Sequence, residues 1–218
     1  MTERRGRFIT FEGTDGCGKT TQIRLLVERL RAAGYNVLES AEPGGTRIGT
    51  QVRRILLDAR NQELSPTAEL LLYFACRAQN VDEWINPALA EGRIVISDRF
   101  TDSTLVYQGV GRGLGEDVVL GLDRVACRGL QPDLTIYLDL DLETGLARAR
   151  ARNLESQDNE TRMDDQAAEF HRRVRDAYLD LARRESKRIR VIDASRGVDT
   201  VAADIWQAVL ETLEAPLV

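Results

Sequence analysis

Histidine is almost missing from this sequence: His171 is the only one in 218 residues, set among Arg172, Arg173 and Arg175. That setting predicts a surface residue and leaves no imidazole to activate a nucleophile, so Ser–His and Cys–His chemistry is not expected. Cysteine is scarce as well. Cys17, Cys76 and Cys127 are odd in number and far apart, which points away from a disulfide framework and from a zinc site. Excess positive charge is lacking too, since 30 Lys and Arg face 35 Asp and Glu for a formal net charge of −5. Binding to nucleic acid needs a basic surface, so no nucleic-acid partner is expected and an anion site must gather its charge locally. No apolar run reaches the length of a bilayer span, and residues 1–7 lead into the first strand pattern without an apolar export segment. A cytoplasmic protein with no membrane contact is expected. There is no low-complexity tract either, and the length suits one domain over residues 1–218 with a small mobile insertion.

What is present is organised around residues 7–21. Phe8, Ile9 and Phe11 form a short apolar run suited to a buried parallel strand. Gly13-Thr14-Asp15-Gly16-Cys17-Gly18-Lys19-Thr20 then fits G-x-x-x-x-G-K-[ST] at every fixed position. Its glycines let backbone N–H groups turn inward as a ring of donors. Lys19 can reach the β- and γ-phosphates of ATP, the Thr20 hydroxyl can hold Mg²⁺, and the helix opening at Gly18 adds its positive end. ATP contacts are therefore expected from Gly13 through Thr21, with Cys17 as a small side chain at a variable loop position, the other reading being a reactive thiol at a helix N-terminus.

Strand and helix patterns alternate along the rest of the chain. Strands are predicted at residues 35–40, 94–97, 134–138 and 189–192. Helices are predicted at about 47–58, from Ser65-Pro66 through Ala78, and at about 117–128, 143–152, 165–187 and 198–214. Pro87 is expected to bend or separate a further helical piece ending near Gly92. The alternation implies an α/β fold, a P-loop NTPase-like three-layer sandwich with a five-stranded parallel sheet, helices on both faces and a small lid. Ligands in such folds sit beyond the carboxyl ends of the strands. That edge carries the phosphate loop, Glu42-Pro43, Asp98-Arg99, Asp139 and Asp193-Ala194-Ser195. Asp98 can hold Mg²⁺ through water opposite Thr20 while Arg99 takes a phosphate; a structural Asp–Arg pair capping the strand is the other reading. Arg148, Arg150 and Arg152 alternate along a helix, and Arg162 follows a polar stretch. Residues 148–164 look like a lid bringing arginines to a transferring phosphoryl group, the alternative being a solvated charged helix.

Several stretches together resemble one family, the thymidylate kinases, over nearly the full length. They are Phe11–Thr21, Glu42-Pro43-Gly44-Gly45-Thr46, Leu71–Arg77, Asp98-Arg99-Phe100, Ser103–Gly109, the arginine-rich segment, and Ile192–Ser195. The resemblance implies transfer of the ATP γ-phosphoryl group to dTMP, giving dTDP and ADP, with Mg²⁺. It implies that Asp15 accepts from the deoxyribose 3′-hydroxyl and Arg99 grips the dTMP phosphate. Tyr107 would lie under the sugar, Arg77 would donate to thymine O4, and Thr104 and Gln108 would sit near the base edge with Ser103 in the same motif. Tyr73 falls where the family usually stacks a phenylalanine on the base. Arg152 resembles the catalytic lid arginine, Arg162 a second lid contact with ATP, and Arg148 a packing partner for adenine. Gly16, in place of a loop arginine, matches the bacterial subclass whose catalytic arginine comes from the lid. The family usually forms homodimers. Two other readings remain open at this point: a deoxynucleoside kinase, which needs a base for a neutral hydroxyl, and a nucleotide-gated binding module.

Overall fold

The computed structural model describes residues 5–155, 161–163 and 166–215, excluding the side chains of residues 152–155. Strands β1 (Phe8–Glu12), β2 (Val37–Ala41), β3 (Ile94–Asp98), β4 (Leu134–Asp139) and β5 (Ile189–Asp193) form one sheet in the order β2-β3-β1-β4-β5. Every neighbouring pair is parallel, with Phe11 opposite both Asp98 and Ile136, and Ala41 opposite Asp98. The chain leaves β1 toward β2 on one side and later adds β4 on the other. The resulting crevice lies at the carboxyl ends of β1 and β3, where doubly wound sheets bind ligands.

The central strands of the sheet are buried because both faces are covered, Thr10, Glu12, Ser97 and Thr135 being polar exceptions among their apolar side chains. On one face Ile9, Phe11, Ile96, Ile136 and Leu138 pack against α1 (Lys19–Ala32) and α9 (Val198–Glu214), through Leu26, Val27, Leu30, Ile205 and Val209. On the other, Phe8, Val95 and Tyr137 meet α3 (Pro66–Asn80), α6 (Glu116–Ala126) and α8 (Ala168–Arg184). Local chemistry starts several of these helices. Thr46 caps α2 (Arg47–Leu57) by accepting from Gly49 N at 2.9 Å, and Ser65 caps α3 with Pro66 in its first turn. Helix α7 (Leu142–Glu155) follows β4.

Two elements differ from expectation. Pro87 sits in a separate helical piece as expected, α4 (Asn86–Ala90), but the link to α3 is a π-helical turn, Val81–Ile85, which the sequence pattern does not predict. Proline has no N–H, so the ladder upstream widens while Pro87 occupies the first turn of α4. After β3 the segment Thr101–Gly111, for which no helix is predicted, is helical: α5 (Thr101–Thr104) and a π-helical stretch, Leu105–Gly111. His171 also corrects the sequence reading. It is buried, 1 % exposed, edge-on to the Phe170 ring. His171, Val174 and Tyr178 share the inward stripe of α8, and the arginines beside them in sequence turn outward.

Candidate active site

The phosphate loop turns where its glycines permit it. Gly13, Gly16 and Gly18 have φ of +142°, +77° and +96°, and a Cβ on Gly16 would fall 2.1 Å from the Gly145 carbonyl of α7. Residue 16 is therefore held to glycine by backbone angle and by the close crossing of α7. Lys19 opens α1 with its ammonium folded back, donating to the Gly13 carbonyl at 3.0 Å and the Thr14 carbonyl at 3.3 Å. Burial raises the Cys17 thiol above its usual pKa, so this cysteine fills the loop rather than reacting.

Across the crevice, Arg99 follows the end of β3 at φ +71°, a conformation that costs an L-residue about 1–2 kcal/mol. Its backbone N–H donates to Phe11 O at 2.9 Å, and its guanidinium reaches Asp15 Oδ1 at 3.0 Å and Ser103 Oγ at 3.1 Å. Glu12, at the end of β1, holds this turn in place. Its carboxylate accepts from the Phe100 and Ser103 backbone N–H groups and from the Ser103 and Tyr178 hydroxyls. Fixed acceptors on β1 thus define where Arg99 stands.

Glu12 also makes a pH prediction. Burial, aided by Asp102, raises its pKa from 4.5 to about 7 against the opposing pull of Arg99, Ser103 and Tyr178. The unfolded chain releases this proton near pH 4.5 while the folded chain keeps it to about 7. Stability should therefore fall as pH rises through that window, by up to about 3 kcal/mol from this group, and level off above it. Urea unfolding from pH 4 to 8 should show a slope that Glu12→Gln removes; equal slopes in the two proteins would contradict the assignment.

The floor between the two sides is a buried polar wall. Arg77 Nε bonds Glu42 Oε2 at 2.6 Å, Arg77 Nη2 donates to Thr104 Oγ1 at 2.9 Å, and Asn80 Nδ2 reaches Glu42 Oε1 at 3.2 Å. Arg77 is 1 % exposed, and its Nη1 has no partner among the described residues. Such a donor is costly unless a ligand accepts from it. Asp98 Oδ1 is in the same position.

One cavity of about 580 Å³ joins these parts, bordered by Lys19 and Thr20 at one end and by Tyr73, Arg77, Thr104, Tyr107 and Gln108 at the other. Asp15, Asp98, Arg99 and Ser103 line it as well, as do Arg148, Thr161 and Met163. The Arg99 guanidinium carbon lies 5.0 Å from the Tyr107 ring centroid. Burial raises the Tyr73 pKa to about 12. Arg162 stands apart from its expected contact with ATP: it is buried, paired with Glu69 at 2.7 Å and donating from Nε to the Leu56 carbonyl. The side chain of Arg152, like residues 156–160 and 164–165 of the expected lid, lies outside the described residues. Sequence reasoning missed Glu12 and Tyr178 as the supports of Arg99; Glu12 directly precedes the phosphate-loop motif at the end of β1, but nothing in the sequence ties Tyr178 to it.

Two anion-binding devices open onto one cavity, a phosphate loop on β1 and a cradled arginine after β3. Such a cavity brings two phosphorylated ligands together, the arrangement of a nucleoside monophosphate kinase. A family model described as thymidylate kinase matches residues 11–205. The chain belongs to the thymidylate kinase family. It is 51 % identical over 207 residues to the thymidylate kinase of Pelobacter propionicus, covering 94 % of each chain. It is also 51 % identical over 206 residues to that of Geobacter sulfurreducens, covering 94 % of this chain and 97 % of the relative. The crystal structure of thymidylate kinase from Ehrlichia chaffeensis superposes with a TM-score of 0.76 at 33 % identity, covering 94 % of this chain and 99 % of that one.

Proposed function

We propose that the chain transfers the γ-phosphoryl group of ATP to dTMP, giving dTDP and ADP with Mg²⁺, in the supply of dTTP. The observation that carries this reading is the continuous cavity from Lys19 to Arg77 and Gln108. ATP lies on residues 13–21, with Arg148 against adenine, and dTMP lies between Arg99 and the Arg77 wall. Asp15 and Tyr107 meet its sugar, Tyr73 its base, and Ser103, Thr104 and Gln108 line its pocket. The acceptor phosphate is already ionised, so no strong base is required. Glu12 cannot serve a nucleoside kinase as one: it is fully buried, engaged by four donor groups, and absent from the cavity wall.

The donor set fits Mg²⁺. Among the described residues Asp98 has a buried oxygen without a partner, Thr20 lines the same cavity, and no cluster of three or more His, Cys, Asp or Glu forms a dedicated cage. Magnesium bound through one carboxylate, a hydroxyl, waters and substrate phosphates needs no such cage; when bound it neutralises charge on the phosphates. The chain acts as a single kinase domain with residues 148–164 as its lid. Arg152 supplies lid charge to the transferring group, so Arg152→Ala should lower kcat on the order of 10³-fold with little change in KM. A rise in KM alone would remove the assignment. Exposed Ile55 on α2, Leu71 on α3 and Val125 on α6 support a homodimer through this flank, and a one-chain mass by light scattering would contradict it. A cytoplasmic setting is part of the same reading; no helix of the described residues is long and apolar enough to cross a membrane.

ADP release should require dTMP when dTMP, dUMP, dCMP, thymidine and no acceptor are compared. Phosphorylation of thymidine, or release without acceptor, would overturn the reading.

A further inference from the structure

Glu69, in the first turn of α3, is fully buried and gathers side chains from distant parts of the chain. Gln108 Nε2 donates to it at 2.7 Å, Arg112 through Nε at 3.3 Å and Nη2 at 3.1 Å, and Arg162 Nη1 lies at 2.7 Å. Burial pushes its pKa up, but hydrogen bonds from Gln108 and Arg112 and the charges of both arginines outweigh it and hold the carboxyl below its usual range. An ionised carboxylate only accepts, so the Gln108 group facing it must be the NH₂. The Gln108 carbonyl is then the end left for the cavity, which Gln108 lines.

On the same cavity, Arg77 Nη1 is a buried donor without a partner among the described residues. The base end thus offers one acceptor and one donor. Thymine presents the matching pair, N3–H beside the O4 carbonyl. Cytosine presents the reverse, an unprotonated N3 beside an amino group, and would leave both protein groups unpaired. We propose that Glu69 is a positioning residue for base selection: it holds the Gln108 amide in one orientation, so that the cavity accepts from N3–H while Arg77 donates to O4. This rests on reading the cavity as the dTMP site.

Glu69→Gln removes the acceptor-only partner and lets the Gln108 amide turn over. Its preference for dTMP over dCMP should fall about tenfold, with a higher KM for dTMP and with kcat and the ATP KM within about twofold of wild type. Gln108→Met should lose at least as much preference, and the double variant no more than Gln108→Met alone, because Glu69 acts through Gln108. Retained preference in Glu69→Gln, or losses that multiply in the double variant, would overturn the role. A second readout uses the wild-type protein, since a buried change can unfold the chain. The Gln108 side-chain ¹⁵N–H pair, assigned by its loss in Gln108→Met, should show one proton shifted downfield and protected from exchange, with and without dTMP. Free exchange of both protons would refute the contact. If wild type forms ADP without needing dTMP, the base-reading role falls with the functional reading, whereas the resonance still reports on the Glu69–Gln108 contact itself.

Discussion

Lys19→Ala should abolish measurable phosphoryl transfer, lowering kcat by on the order of 10³-fold or more, while dTMP affinity stays within about threefold. The lysine is 8 % exposed and held by the carbonyls of Gly13 and Thr14 at 3.0 and 3.3 Å. Those neutral acceptors keep the ammonium inside the loop, and phosphate oxygens are stronger partners for a full charge. Exchange of the carbonyls for phosphate needs little movement, so the charge is in place before the transition state forms. Alanine removes it from the point where negative charge accumulates. The fold loses two hydrogen bonds to carbonyls, worth about 1 kcal/mol each, and a weak contact to the Cys17 sulfur at 3.8 Å. Arg99 and Arg77, which face dTMP in the proposed reading, belong to β3's end and to α3 and do not depend on Lys19. A coupled assay gives kcat, and calorimetric titration of dTMP gives the affinity. If dTMP binding collapses together with turnover, the division of roles between the two sides of the cavity is wrong.

How far the sequence discloses this site depends on whether the signal is local. The phosphate loop is local: Gly13, Gly18 and Lys19 at fixed spacing announce the turn, and only the demand for glycine at position 16 comes partly from distant α7. Helix α9 is legible for the same reason, with apolar period and termini agreeing over Val198–Glu214. Thr101–Gly111 is not. Thr101, Thr104, Val106 and Val110 are β-branched, Gly109 and Gly111 lie in the same segment, and its helical start is held by Glu12, whose carboxylate takes the Phe100 and Ser103 N–H groups from 88 and 91 residues away. Arg162 reads as a lid arginine because polar residues precede it, yet a carboxylate on α3 and the end of α2 claim it. Glu69 itself reads only as an acid suiting a helix N-terminus. Its partners at positions 108, 112 and 162 meet only when the sheet has folded. His171 is an intermediate case: its spacing to Val174 and Tyr178 marks a buried stripe, but neighbouring charges conceal it.

The second large effect is expected at Arg99. Arg99→Ala should lower kcat/KM for dTMP by about 10³-fold, and Arg99→Lys should recover only part of it. An arginine can grip a phosphate with two parallel N–H groups, each charge-assisted hydrogen bond being worth roughly 1.5–3 kcal/mol. Lysine restores the charge without the planar fork. The position of the guanidinium also depends on its backbone. At φ +71° the side chain leaves the strand end toward Asp15 and Ser103 instead of continuing along the sheet. Alanine keeps that unfavourable angle, so the substitution gains nothing from relief of strain, and Asp15 loses the cation 3.0 Å away. Since Asp15 also belongs to the phosphate loop, a moderate loss of ATP affinity should accompany the larger loss for dTMP. Steady-state kinetics with each nucleotide varied in turn would separate the two. If both variants stay within tenfold of wild type for dTMP, the acceptor phosphate does not lie on Arg99, and the end-to-end placement of two phosphorylated ligands in this cavity cannot stand.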